Sequence, residues 1–138
     1  MPSTSHLAEL EIESTDVIAA WSALEPVVAR CAETLGAPAD KSDYHVGHPD
    51  DLGTVAGADL RDCLDRVKSP ASISVTYTAS GNSGSDPRSI ELRIARYRRF
   101  KELNVHLRVD GPADVQTLGF FERTQRTLSE TIDHLNGS

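Results

Sequence analysis

The stretch SIELRIARYRRFKELNVHLRVDG, Ser89 to Gly111, decides the fold. Ile90, Leu92 and Ile94 alternate with Glu91, Arg93 and Ala95, and Leu103, Val105, Leu107 and Val109 alternate with Asn104, His106 and Arg108. A period of two is that of a strand with one buried and one wet face. Between the two runs, RRFKE reads as a turn. Upstream, SISVTYT sets Ile73, Val75 and Tyr77 against Ser74, Thr76 and Thr78, dense in β-branched residues. It joins through the linker ASGNSGSDPRS, so the three segments are expected to form an antiparallel meander with one apolar face.

Working outward, LAELEIES alternates Ala8, Leu10 and Ile12 with Glu9, Glu11 and Glu13 and reads as a first strand. Ser14 or Thr15 offers an N-cap. Val17, Trp21, Leu24, Val28, Cys31 and Leu35 then recur at helical spacing up to Gly36, across Pro26, which predicts one kinked helix or two abutting ones. Residues 37–56 are rich in Pro, Gly and Asp and read as a long loop. Leu60, Cys63, Leu64 and Val67 mark a short amphipathic helix closed by Pro70. After Gly111, Pro112 suits the first helical position, and Val115, Leu118, Phe121, Leu128, Ile132 and Leu135 line a long final helix ending at Gly137.

The elements sum to one α+β domain over residues 1–138, a two-layer arrangement with helices on one face of an about four-stranded, mainly antiparallel sheet. The order of strand, paired helices, strand meander and long final helix resembles the helix-grip fold of the plant-allergen and lipid-transfer type. That fold has a longer meander than the three strands legible here, and none of its sequence motifs is present, so the chain is not assigned to it.

With 138 residues, 38% of them hydrophobic, the chain suffices for a single core. No run approaches the roughly 20 apolar residues that span a bilayer, and the polar start MPSTSHLAEL has no apolar signal core, so the expected location is cytoplasmic and no membrane is involved. Cys31 and Cys63 fall on apolar helix faces and are expected as buried, reduced thiols. The formal net charge is -7, and the acidity belongs to the first half: residues 1–68 carry thirteen acids and five bases, residues 69–138 eight and nine. An acidic chain with few aromatics lacks the footprint of a nucleic-acid binder.

Against that background the meander concentrates positive charge. Arg98, Arg99 and Lys101 are placed at the hairpin tip, with Arg93 and Arg108 on the uncovered face beside His106. Clustered guanidinium groups suit phosphate or carboxylate, and they equally suit a solvated sheet face paired with Glu91 and Glu102. Arg96 shares its parity with Ile90 and Ile94 and is placed toward the inner face at the end of the sheet. The loop around Asp43, His45, His48, Asp50 and Asp51 holds ligand types for zinc in no recognisable template. No nucleophile elbow and no phosphate-binding loop occurs, and no cofactor is expected. Phe120, about 100° round the helix from Phe121, widens the apolar arc and is a candidate interface residue.

The first functional expectation is a non-catalytic, cytoplasmic protein-interaction domain that binds another protein or its own copy as a homodimer, an acidic immunity or antitoxin-like protein being one subtype. The alternative is a binding domain for an anionic small molecule or nucleotide through Arg93, Arg96, Arg98, Arg99, Lys101, His106 and Arg108. A metal-dependent enzyme built on His45 and His48 is the least favoured.

Overall fold

The computed structural model describes residues 3–13, 16–34, 42–47, 53–57, 59–67, 70–79, 88–96 and 102–137. Along the chain these form β1 (Ser3–Ile12), α1 (Val17–Thr34), β2 (Ser42–Gly47), β3 (Thr54–Gly57), α2 (Leu60–Arg66), β4 (Ser72–Ala79), β5 (Arg88–Arg96), β6 (Leu103–Pro112) and α3 (Val115–Asn136). The strands make one antiparallel sheet in the order β1-β6-β5-β4-β2-β3. Among the described residues the fold is α+β, three helices with one six-stranded antiparallel sheet, and β2 and β3 separate α1 from α2.

The meander forms as its alternation requires. Val75, Leu92, Leu107 and Ala8 lie side by side across β4, β5, β6 and β1, as do Ile73, Ile94, Val105 and Leu10. All but Leu10 are buried, most of them completely. Because successive residues face opposite ways, this register turns every polar neighbour to the other side of the sheet.

Six strands replace the four expected. The additional pair, β2 and β3, lies within residues 37–56, where Pro, Gly and Asp obscure a short alternation: Tyr44 and Val46 face the core, Asp43 and His45 face water. Pairing with β4 stabilises this hairpin, and Gly53, at φ 104°, supplies a turn conformation that other residues rarely adopt. β1 also begins earlier than its apolar alternation suggests, at Ser3, since β6 offers partners as far as Pro112.

α1 runs unbroken through Pro26. Its N-cap is Asp16, whose carboxylate accepts from the Ala19 amide at 3.0 Å; Ser14 and Thr15 lie outside the described residues, as do Leu35 and Gly36. α2 is capped by Asp59, which accepts from Arg61 N at 3.0 Å. Pro112 ends β6 and does not open α3, because Asp114 takes the N-cap and accepts from the Thr117 amide at 2.8 Å. Arg88 reaches from β5 to the same corner, donating to Asp114 at 3.0 Å and to Thr117 Oγ1 at 3.2 Å. The Thr117 hydrogen bonds, reinforced by Arg88, hold the Asp114 carboxyl below the usual carboxylate range. Gly111 permits the approach: a Cβ there would lie 2.9 Å from Arg88 Cγ and 3.2 Å from Thr117 Oγ1.

α1 and α3 pack against one another and on the inner face of the sheet, and α2 covers β2 and β3. Trp21 and Phe121 are buried as helical spacing predicts. Phe120, expected at an interface, is instead buried at 2% exposure. α1 lies beside α3 as a second packing surface, so the apolar arc of α3 is wide enough to meet both helix and sheet. Where α1 crosses β4, Tyr77 donates to Glu25 Oε1 at 2.9 Å. Burial first, then the hydrogen bond to that carboxylate, pushes the Tyr77 phenol far up from its ordinary value, and burial raises Tyr44 beside it.

Two stability predictions follow from this core. Leu128 is fully buried, so Leu128→Ala should cost about 2–5 kcal/mol in denaturant unfolding. The raised phenol of Tyr77 places its folded pKa above the unfolded value of 10.0. Its contribution is therefore complete below about pH 10 and is lost as pH rises further. Tyr77→Phe should make the fall in stability between about pH 9 and about pH 11 shallower, as read from unfolding midpoints.

Candidate interaction surface

No helix of the described residues covers the second face of the sheet. Its side chains form transverse rows set by strand register. One row reads Glu9, His106, Arg93, Ser74, His45 and Ala56 from β1 to β3, and the next reads Leu7, Arg108, Glu91, Thr76 and Asp43. Arg93, His106 and Arg108 thus share this face. Arg96 is exposed, despite its inward parity, because it is the last residue of β5 and its side chain escapes the end of the sheet. Arg98, Arg99 and Lys101 lie outside the described residues, as do Tyr97 and Phe100.

The positive charge on this face is largely answered. Arg108 Nε lies 3.1 Å from Asp110 Oδ1 and 3.0 Å from Oδ2, and the same carboxylate accepts from Ser5 Oγ. His106 Nδ1 lies 3.6 Å from Glu9 Oε1. Glu91 stands in register beside Arg108 and accepts from Thr76 Oγ1 at 3.5 Å. A side-chain hydrogen bond with Glu11, then the charge of that neighbouring carboxyl, raises the Glu102 carboxyl above its ordinary value, and the turn cations it was expected to pair with lie outside the described residues. Arg93 makes no ion pair among the described residues. The described part of the expected cluster, Arg93, His106 and Arg108, therefore belongs to a face of mixed sign.

His45 is placed by the sequence in a long loop, as a candidate ligand only in the least favoured reading. It belongs to β2, two strands from Arg93 in the same row, and His48 lies outside the described residues. The alternation of Asp43 and His45 against Tyr44 and Val46 was the signal that would have placed it. Among the described residues no group of three or more His, Cys, Asp or Glu side chains is arranged to hold a metal. Cys63 is buried and Cys31 partly so; neither forms a disulfide among the described residues, and burial pushes the Cys63 thiol up, away from nucleophilic use.

The two ends of the sheet differ. β3 is a four-residue edge, short enough to resist further pairing. β1 is a ten-residue edge with β6 on one side and no described strand on the other. Unpaired main-chain donors and acceptors along such an edge are a template for another strand. Leu7, at its centre, is 69% exposed on the open face.

Above that edge lies α3, which packs on both β1 and β6. It runs in the same direction as β1: it starts beside the Ser3 end, Phe121 stacks on His6 at 5.2 Å, and Asn136 Oδ1 accepts from Glu13 N at 3.0 Å. One flank of α3 faces α1 across a groove of about 380 Å³ lined by Val27, Arg30, Cys31, Arg123, Thr124 and Thr127. At 100° per residue the opposite flank carries Leu118, Gln125 and Ser129, on the side of Asn136. Glu122, one turn from Leu118, borders that flank, whereas Arg123, Arg126, Glu130 and Asp133 lie farther round the exposed side of the helix.

No helix of the described residues is long and apolar enough to cross a membrane. No family model matches the chain, and no curated protein matches it. Among solved structures it is similar to two crystal structures of the major latex-like protein 151 of ginseng, Panax ginseng, at 14% and 15% identity. Each match covers 97% of both chains with a TM-score of 0.41. At that level the likeness carries no functional weight, and function has to be argued from the surface itself.

Proposed function

We propose that this chain is a non-catalytic protein-interaction module that docks a polypeptide along β1. The observation that carries this reading is the ten-residue free edge with Leu7 exposed at its middle. Strand addition at such an edge draws affinity from main-chain hydrogen bonds and specificity from alternate side chains. The open face beside it supports the same reading, since its paired charges suit the mixed surface of a protein better than a compact anion. An anionic small molecule would find Arg93 as the single cation of rows Glu9 to Ala56 and Leu7 to Asp43 that is neither ion-paired nor a histidine. Cys31 and Cys63, not joined in a disulfide, are in keeping with a reducing, cytoplasmic setting.

A photo-reactive phenylalanine analogue placed at position 7, and separately at Thr54 on the β3 edge and Ser74 in mid-face, tests the reading in the native cell. The expected result is a covalent polypeptide adduct from position 7 and little or none from the other two. Equal yields at all three positions, or no adduct at position 7, would overturn it.

A further inference from the structure

Resting on that reading, we infer that the polypeptide docked on β1 is a second copy of this chain, paired antiparallel about a two-fold axis through Leu7. The argument begins with the side chains that face one another in each possible register. Keeping the helices of both copies on the same side restricts the choice to registers that oppose odd residues to odd residues. Centring on Glu9 would set the two Glu9 carboxylates face to face and Leu7 against Glu11. Centring on Ala8 would set Leu7 against Glu9. Centring on Leu7 opposes Leu7 to Leu7, Ser5 to Glu9 and Ser3 to Glu11, so an apolar pair occupies the axis and each carboxylate meets a hydroxyl. On the inner side His6 then meets Ala8 and Thr4 meets Leu10. The paired span, Ser3 to Glu11, runs for about 30 Å.

The helix layer agrees with this register independently. α3 sits over both β1 and β6, about half a strand spacing inside β1, while the two-fold axis lies half a spacing outside it. The two α3 helices would therefore run antiparallel at about 10 Å, the separation of packed helices. The surfaces that meet bring Leu118 of each copy toward Gln125 and Ser129 of the other, with Glu122 at the solvent rim of the contact. Leu118 is 42% exposed within one chain and would be covered in the pair. Strand pairing alone buries little side-chain area, and stable interfaces need roughly 1,200 Å² in total; the helix contact brings the pair toward that size. An isologous pairing of this kind closes on itself and leaves no second β1 edge to recruit a third copy.

Light scattering after size exclusion at about 0.1 mM chain should report twice the monomer mass, and Leu118→Glu should return it to the monomer mass. In a Cys31→Ser background, where Cys63 is buried, Leu7→Cys should give a disulfide-linked dimer on mild oxidation. Glu11→Cys should not, because each position 11 faces position 3 of its partner. Both cysteine sites are exposed strand positions, so folding is not at stake. A monomer mass at that concentration overturns the inference, and so does a dimer that cross-links through position 11 and not through position 7. If the chain is monomeric yet the probe at position 7 captures a different polypeptide, self-pairing falls while the edge-docking function stands; if it captures nothing, both fall.

Discussion

Everything in this structure depends on the register that sets Val75, Leu92, Leu107 and Ala8 shoulder to shoulder beneath the helices. Burying that row and its neighbours is the main source of stability, at roughly 25 cal/mol for each Å² of apolar surface removed from water. A slip of one residue between any two strands would send one strand's aliphatic side chains into solvent and its charged ones into the core. The apolar pattern therefore locks the polar pattern as well. Glu9, His106, Arg93 and Ser74 are aligned across the open face because Ala8, Leu107, Leu92 and Val75 are aligned beneath them.

This coupling explains why the open face is electrically mixed. The sequence concentrates arginine in the meander, but Arg108 and His106 each lie beside an acid, and only Arg93 of the two described rows is left without an ion pair among the described residues. Arg108 meets Asp110, and His106 meets Glu9. Such exposed pairs contribute little stability. Their effect is to leave the described part of the face without a strong field of one sign.

The sheet's two ends follow from the same economy of edges. A short β3 needs little protection, whereas β1 has to be long because β6, its only described partner, is long. The length that secures the first strand to the sheet also exposes the most extensive set of unpaired main-chain groups in the described structure. α3 crosses just above, and the side that overlooks the edge carries Leu118, Gln125 and Ser129, with Glu122 at its border. A feature required for folding is thereby available for recognition.

The sequence by itself determined the elements whose pattern is local and strong: the three alternating strands of the meander, the first strand, and helices around Trp21, Leu64 and Phe121. It also determined that Arg93, His106 and Arg108 share a face, because parity within a strand is a property of the backbone. Tertiary structure alone decided the rest. The β2 and β3 hairpin is too short and too interrupted to announce itself without β4 to pair against. Phe120 is core and not interface because α1 packs beside α3, a contact that helical periodicity does not contain. His45 joins the row of Arg93 only through β4. Above all, which strand would be left at the edge was a matter of sheet order, which arises from long-range pairing between the first strand and the last and leaves no trace in the local alternation of either.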